Sequence, residues 1–244
     1  MIRAVLFDLD GTLLPMEQED FIEAYMGEIS LRFGAEGLDP KALVKALWKG
    51  TAAMVENDGS ASNEEVFWRI FAELLGEEIL ERRAEFDDFY TREFKRVSRV
   101  AVPHGRAAEC VSLLKKKGYR LIAATNPLFP RAATLERMSW AGVDPADFEL
   151  ITTYENSTHC KPNLDYYRDI LKSSGLEAQE CLMVGNDVGE DMCTARLGME
   201  TFLLTEHLIP AKGVDTAKMR QGGFEELYRY VQSLPDRNEK GEKE

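Results

Sequence analysis

Ile2-Arg3-Ala4-Val5-Leu6-Phe7 runs directly into Asp8-Leu9-Asp10-Gly11-Thr12 in this 244-residue chain. The first six residues are a short, mostly apolar run, which is typical of a strand buried on both faces of a parallel sheet. Open parallel sheets bind ligands beyond the carboxyl ends of their strands. The stretch therefore predicts an α/β sheet in which Asp8 and Asp10 lie at a functional edge.

The second half of the chain alternates between short apolar runs and helical patterns. Further strands are predicted at Tyr119 to Ala124, Phe148 to Ile151, Cys181 to Val184 and Thr201 to Leu204. Helical patterns separate them, around residues 130–141, 164–174, 189–197 and 224–233. Such alternation predicts an α/β fold with a Rossmann-like, doubly wound parallel sheet.

In residues 16–96 the apolar side chains recur with a helical spacing. Large apolar side chains recur every four residues at Phe21, Tyr25, Ile29 and Phe33, as expected of an amphipathic helix. Two more helices are predicted to start at Asp39-Pro40 and at Ser62. A fourth is predicted to carry Phe86, Phe89, Tyr90 and Phe94. We therefore predict an all-helical domain at 16–96, an α/β core of 1–15 plus 97–234, and a mobile tail at 235–244.

Composition narrows the function classes. The formal net charge of −13, from 43 acidic and 30 basic residues, argues against a nucleic-acid partner. No apolar stretch approaches the ~20 residues of a membrane span, and the first apolar run is too short for a secretory signal. The four cysteines match no metal-binding spacing, which favours reduced thiols and a cytoplasmic location. The sequence does not indicate an oligomeric state.

Four polar clusters follow predicted strands: Asp8 with Asp10, Thr125-Asn126, Lys161, and Asp187 with Asp191. If the sheet forms, these clusters converge at one edge. Close carboxylates repel by on the order of 4 kcal/mol per pair at an effective dielectric of 20, and a hard divalent cation would relieve this repulsion. Because carboxylate and carbonyl oxygens suit Mg²⁺, which also takes phosphate oxygens, we expect a Mg²⁺ site.

The clusters resemble the four motifs of the haloacid dehalogenase superfamily. They read Asp8-Leu9-Asp10-Gly11-Thr12, Ala124-Thr125-Asn126, Lys161-Pro162 and Val184-Gly185-Asn186-Asp187-Val188-Gly189-Glu190-Asp191. Their order and spacing are similar to those of phosphatases with a helical cap inserted after the first strand, including phosphoglycolate phosphatase and β-phosphoglucomutase relatives. The resemblance implies a Mg²⁺-dependent hydrolase that removes phosphate from a small phosphorylated metabolite.

The same resemblance implies a role for each matching residue. Asp8 would be the nucleophile that forms an aspartyl-phosphate, and Asp10 the general acid and then base. Thr125 and Asn126 would hold the transferring phosphoryl group, and Lys161 would stabilise its charge. Asp8, Asp187 and the backbone carbonyl of Asp10 would bind Mg²⁺ directly, whereas Asp191 would bind it through water or orient Lys161.

One departure from the family pattern concerns the fourth motif. Members of the family usually have glycine directly before the metal-binding aspartate, whereas Asn186 stands between Gly185 and Asp187 here. We assign the metal to Asp187, because its spacing to Asp191 fits the family and because asparagine is the weaker Mg²⁺ ligand. Cys160, beside Lys161, is expected to be a structural thiol, although the adjacent charge could instead lower its pKa.

Three other functions are compatible with parts of the pattern. A haloacid dehalogenase is disfavoured because it lacks a carboxylate at the position of Asp10. A phosphomutase of the β-phosphoglucomutase type keeps both aspartates, and the difference would lie in how the cap excludes water. A catalytically inactive, ligand- or partner-binding relative is disfavoured by the intact motif residues. In the preferred function the cap closes over substrate, with hinges near Leu14 to Glu17 and Ser98 to Pro103.

Overall fold

The computed structural model describes residues 1–238 and has a six-stranded sheet. The strands are β1 Ala4–Phe7, β2 Arg120–Ala123, β3 Leu150–Ile151, β4 Cys181–Gly185, β5 Glu200–Leu204 and β6 Gln221–Gly222. Their order is β3-β2-β1-β4-β5-β6, and every neighbouring pair is parallel. This confirms the predicted doubly wound α/β fold, with the reversal of strand order between β1 and β4.

The position of β1 at the centre of the sheet explains why its sequence is apolar without interruption. All four residues of β1 are buried, and they alternate between the two faces of the sheet. Val5 and Phe7 belong to the larger apolar cluster, whereas Ala4 and Leu6 pack in a second cluster with Tyr166. A strand covered on both faces has no position for a polar residue until it leaves the sheet at Asp8.

Four α-helices lie between β1 and residue 100: α1 Gln18–Gly34, α2 Pro40–Val55, α3 Asn63–Leu75 and α4 Arg83–Thr91. Short 3₁₀ segments at Glu77–Arg82 and Glu93–Val100 flank α4. This is the inserted helical cap; its exact boundaries stay a prediction. The predicted helix starts are confirmed, because the Asp39 carboxylate accepts from two backbone N–H groups and Ser62 forms a capping box with Glu65.

One cap helix is shorter than predicted. The backbone leaves the helical region at Arg92, with φ −120° and ψ −82°, so Phe94 lies in the following 3₁₀ segment. Its side chain is fully buried against the rings of Phe21 and Tyr90. Apolar spacing predicted the buried face correctly but not the break in the backbone.

The remaining helices are α5 Gly105–Lys116, α6 Arg131–Trp140, α7 Leu164–Ser174 and α8 Phe224–Ser233, with 3₁₀ segments at Pro145–Asp147, Ala178–Glu180 and Met192–Leu197. The predicted helix at 189–197 is thus wrong in type. The Asp187 carboxylate accepts from the N–H groups of Gly189 and Glu190, so side-chain bonds organise this segment in place of a helical ladder. Within residues 1–238 no helix is long and apolar enough to cross a membrane.

Two chain segments connect the cap to the core, and they run side by side. The N–H of Val102 donates to the carbonyl of Pro15 at 2.9 Å, which joins the two predicted hinges. At the other end of the chain, Arg237 N–H donates to the carbonyl of Lys117 at 2.8 Å. Pro235, Arg237 and Asn238 of the predicted mobile tail thus form hydrogen bonds to the core, and residues 239–244 lie outside the described residues.

Candidate active site

All four polar clusters meet at one cavity at the carboxyl edge of the sheet. The cavity has a volume of about 720 Å³, and its lining includes all seven predicted site residues, which are Asp8, Asp10, Thr125, Asn126, Lys161, Asp187 and Asp191. Asn186, between the end of β4 and Asp187, lines it as well. Asp8 follows β1, Thr125 follows β2, and Asp187 follows β4. The parallel topology thus brings residues more than 170 positions apart into one site, as Thr12 and Asn186 show by their hydrogen bond.

Lys161 is the central cation of the site. Its side chain is 1% exposed, and Nζ donates to Asp8 Oδ1 at 2.8 Å and to Asp191 Oδ1 at 2.7 Å. Burial acts to lower the pKa of Lys161, but the carboxylates of Asp191 and Asp8 outweigh it and hold the pKa well above its ordinary value. Lys161 therefore carries a positive charge beside Asp8.

A bracing contact fixes the loop that carries Asp8. The Thr12 hydroxyl lies 3.2 Å from Asp8 Oδ2 and 3.0 Å from Asn186 Oδ1, and the Asn186 amide donates to the carbonyl of His207 at 2.6 Å. Gly11 has φ 81°, and a Cβ there would lie 2.3 Å from Asn186 Nδ2. Asn186 is thus a buried brace, and the next residue, Asp187, contributes a carboxylate to the cavity.

Asp191 orients the lysine instead of offering free oxygens. One carboxylate oxygen accepts from Lys161, and the other accepts from the N–H of Asp187 at 3.0 Å. Gly185, at the end of β4, makes this possible, because a Cβ there would lie 2.1 Å from Asp191 Oδ2. Of the two roles expected for Asp191, this geometry favours orienting Lys161 over binding a metal through water.

Thr125 and Asn126 line the cavity from the loop that follows β2. The backbone carbonyl of Thr125 accepts from the hydroxyls of Thr152 and Tyr166, at 2.7 and 2.9 Å. Asn126 Nδ2 donates to the carboxylate of Glu190 at 3.1 Å, and its Oδ1 accepts from the N–H of Lys161 at 3.2 Å. The Asn126 side chain therefore ties the second, third and fourth motifs together.

Asp10 has a partner that sequence reasoning missed. One of its carboxylate oxygens accepts from a guanidinium N–H of Arg137, on α6, and the other is buried with no hydrogen-bond partner within residues 1–238. Burial raises the pKa of Asp10 to about 6, with Arg137 opposing the shift and Asp8 adding to it. Arg137 is 1% exposed, and its guanidinium lies 4.6 Å from the ring centre of Phe129.

A sequence signal for Arg137 does exist. The buried residues of α6 are Ala133, Thr134, Arg137 and Met138, which is one helical face. An arginine in the middle of an apolar stripe needs a buried anion, and it could have been paired with Asp8 or Asp10 on that ground. The pattern does not say which carboxylate it meets.

The donor set fits a Mg²⁺ ion held by few protein ligands. Asp8 and Asp187 contribute carboxylates to the same cavity, and Asp10 lines it as well. Within the described part of the chain no group of three or more His, Cys, Asp and Glu side chains is arranged to hold a metal. Mg²⁺ commonly takes only one or two carboxylates, with water and substrate phosphate as its other ligands, and two carboxylates therefore suffice.

Cys160 is a structural thiol. It packs with Met54 and Tyr154, accepts from Asn63 Nδ2 at 3.3 Å, and burial raises its pKa to about 12. The alternative that the neighbouring lysine lowers the pKa of this thiol is wrong, because the Lys161 ammonium points to Asp8 and Asp191.

A family model for haloacid dehalogenase-like hydrolases matches residues 2–196. The chain belongs to this family. No curated protein sequence matches the chain. The membership accounts for the four motifs and for the α/β sheet with an inserted helical cap.

Solved structures with the same fold include both phosphatases and dehalogenases. A HAD phosphatase from Thermococcus onnurineus is 18% identical with a TM-score of 0.61, covering 96% of this chain and 100% of its own. A 2-haloacid dehalogenase from Pseudomonas syringae pv. Tomato DC3000 is 18% identical with a TM-score of 0.62, covering 94% and 100%. A predicted phosphoglycolate phosphatase from Haemophilus somnus 129PT is 17% identical with a TM-score of 0.56, covering 95% and 98%. At these identities the likeness concerns the fold alone.

Proposed function

We propose that the protein is a phosphatase that removes phosphate from a small phosphorylated metabolite through an aspartyl-phosphate on Asp8. The observation that carries this proposal is the second carboxylate, Asp10, in the same cavity. One Asp10 oxygen is buried and has no partner within residues 1–238, and its pKa is raised to about 6. An alkoxide leaving group needs a proton, whereas a halide does not, so this acid favours phosphate-ester chemistry over dehalogenation.

The proposed reaction has two steps. In the first, an Asp8 carboxylate oxygen attacks phosphorus, the ester P–O bond breaks, and Asp10 gives its proton to the departing alkoxide. In the second, Asp10 takes a proton from water as the water oxygen attacks the aspartyl-phosphate, which releases inorganic phosphate and restores Asp8. Lys161, 2.8 Å from Asp8, stabilises negative charge in both steps.

Asp8, Asp187 and the backbone carbonyl of Asp10 would hold Mg²⁺, which when bound neutralises charge on the phosphoryl oxygens. Thr125 and Asn126 bind the phosphoryl group in this proposal, and Asp191 keeps Lys161 in place. The substrate enters between a cap at 16–96 and a core of 1–15 plus 97–234. Cap closure about the paired segments near Pro15 and Val102 then excludes water.

The test is hydrolysis of 4-nitrophenyl phosphate with and without Mg²⁺. We expect turnover that EDTA abolishes and Mg²⁺ restores, and a loss of at least about 1,000-fold in kcat for Asp8→Asn. Acid-quenched protein should carry a phosphoryl group on Asp8. Asp165→Asn is the matched control, since this exposed carboxylate on α7 forms a surface ion pair with Arg168 at 2.7 Å and does not line the cavity.

Three results would contradict the proposal. Full activity of Asp8→Asn would show that Asp8 is not the nucleophile. Chloride release from 2-chloropropionate without phosphatase activity would favour a dehalogenase. Isomerised sugar phosphate without free phosphate would favour a phosphomutase.

A further inference from the structure

The cavity extends well beyond the space that a phosphoryl group needs. Its volume is about 720 Å³, in the range of pockets that enclose a drug-sized molecule. Its lining has two parts: the motif residues, which we call the motif end, and side chains of residues 16–96 and 128–130, which we call the cap end. In a phosphatase the second end receives the leaving alcohol, so its chemistry selects the substrate.

The cap end is built from aromatic rings. Phe21, Tyr25 and Phe129 contact one another, with ring centres 5.3 to 6.3 Å apart, and Phe86 and Tyr90 continue the wall. The Tyr25 and Tyr90 hydroxyls bond to each other at 2.9 Å, and burial raises the pKa of Tyr25 to about 12. These tyrosines are therefore uncharged, and their hydroxyls already have a partner.

Three of the eight large apolar side chains that are exposed within residues 1–238 line the same cavity. Trp48 is 48% exposed, Val55 44% and Leu208 37%, and all three line it. Trp48 and Val55 are seven residues apart on α2, with Thr51 between them, so they share one helical face. Exposed apolar residues that cluster in a concave site mark a ligand surface, because binding removes them from water.

The cavity has no spare positive charge for a second anion. Among residues 1–238 its only basic lining side chains are Lys161 and His207. Lys161 is bonded to Asp8 and Asp191, and His207 Nδ1 lies 2.9 Å from Glu17. Arg137 is not part of the lining, and its guanidinium is bonded to Asp10.

Acidic side chains of the lining also disfavour a second anionic group on the substrate. Glu17, Glu19 and Asp20, at the start of the cap, are exposed and line the cavity. A carboxylate on the leaving group would meet these like charges without a cation to pair with, which is unfavourable at short range.

We infer that the substrate is a phosphate monoester of an uncharged, hydrophobic and preferably aromatic alcohol, and not of a hydroxy acid. This inference rests on the proposed function and specifies its substrate. The phosphoryl group occupies the motif end, and the hydrophobic group packs between the aromatic rings and the α2 face of Trp48 and Val55.

The test compares three primary alkyl esters whose leaving alcohols are of similar basicity: 3-phenylpropyl phosphate, ethyl phosphate and 3-phosphooxypropanoate. We expect kcat/KM for the phenylpropyl ester to exceed that for the ethyl ester by about 10- to 100-fold, and the carboxylate ester to be the poorest. Trp48→Ala should lower the phenylpropyl-to-ethyl ratio at least about threefold. Leu74→Ala, on α3 and 44% exposed but outside the cavity lining, should keep the ratio.

Binding separates this inference from the proposed function. The dissociation constants of 4-phenylbutylphosphonate and 4-phosphonobutanoate can be measured by calorimetry in Mg²⁺ whether or not the protein turns over esters. Tighter binding of the phenyl compound supports the substrate class, and absence of hydrolysis then counts only against the phosphatase. Equal or tighter binding of the carboxylate compound, or its ester being the best substrate, would overturn the inference while the phosphatase stands.

Discussion

The two ends of the cavity are held together in different ways. At the motif end the charged groups have specific partners, as Lys161 has in Asp8 and Asp191. At the cap end, aromatic rings pack against one another, as Phe21 and Tyr25 do with ring centres 6.3 Å apart. A buried ion pair tolerates few replacements, whereas an apolar core accepts many of similar volume.

The difference explains which end can be read from a sequence. The motif end needs fixed residue types at fixed positions, and these recur as recognisable motifs. The cap end needs only apolar volume on one face of each helix, so its sequence does not reveal which side chains meet substrate. The most informative experiments therefore perturb each end in turn.

The largest effect is expected from Lys161→Met. Removing the ammonium leaves Asp8 and Asp191 buried without their cation, and breaking one partner of a buried pair typically costs about 3–5 kcal/mol. We expect urea unfolding to show a loss of this size, together with loss of turnover. The control is Lys115→Met, since Lys115 is 60% exposed and pairs with Asp147 at the surface. A Lys161→Met protein as stable as the control would show that the pair contributes nothing to the fold.

A second test concerns the space at the motif end. Gly185→Ala would place a Cβ 2.1 Å from Asp191 Oδ2, so the carboxylate that bonds to Asp187 N–H and Lys161 must shift. We expect a loss of about 1–3 kcal/mol in stability and a clear fall in kcat. Gly27→Ala is the matched control, because no atom lies within 4 Å of its added Cβ and it is inside α1, where alanine is favoured by about 0.5–1 kcal/mol. Equal behaviour of the two variants would contradict the steric account.

The sequence predicts the fold better than it predicts the residues that position the candidate catalytic side chains. Apolar runs placed five strands to within two residues, because a strand such as β1 is buried on both faces. β6 was missed, since Gln221-Gly222 has no apolar residue and pairs only at Leu203 and Leu204 of β5. The type of the segment after Asp187 was also missed, because side-chain bonds to nearby N–H groups override helical spacing there.

The site shows the same division. Asp8, Thr125 and Asp187 converge as expected, because each lies within two residues of a strand end in a parallel sheet. Lys161 joins them from the loop between β3 and α7. Arg137 could not be assigned from the motifs, because it reaches Asp10 from a helix 127 residues away along the chain. Its contact is a property of tertiary packing and not of local sequence.

A third prediction tests whether Arg137 positions Asp10. Arg137→Met keeps the side chain's bulk but removes the donor to Asp10, so the acid loses its fixed orientation. We expect turnover of 3-phenylpropyl phosphate to fall about 10- to 100-fold, with a smaller change for 4-nitrophenyl phosphate, whose leaving group needs little protonation. Asp10→Asn should show the same split in larger measure, and Arg137→Lys should restore part of the loss. Equal losses on both esters would mean that Arg137 supports the fold and not the acid.

The smallest effect is expected at a helix start of the cap. The Asp39 carboxylate accepts from the N–H groups of Lys41 and Ala42 at 3.2 and 3.3 Å, so Asp39→Ala should cost about 1 kcal/mol in urea unfolding. Trp48 and Val55 lie more than two turns further along α2, where packing against α3 holds the helix, so kcat/KM for the phenylpropyl ester should stay within about twofold. The matched comparison is Trp48→Ala, for which we expect the reverse result, a change in selectivity with little change in stability, because its side chain is half exposed. If Asp39→Ala altered selectivity as much as Trp48→Ala, the first turn of α2 would be coupled to the cavity. The helix starts of the cap would then contribute to substrate selection as well as to stability.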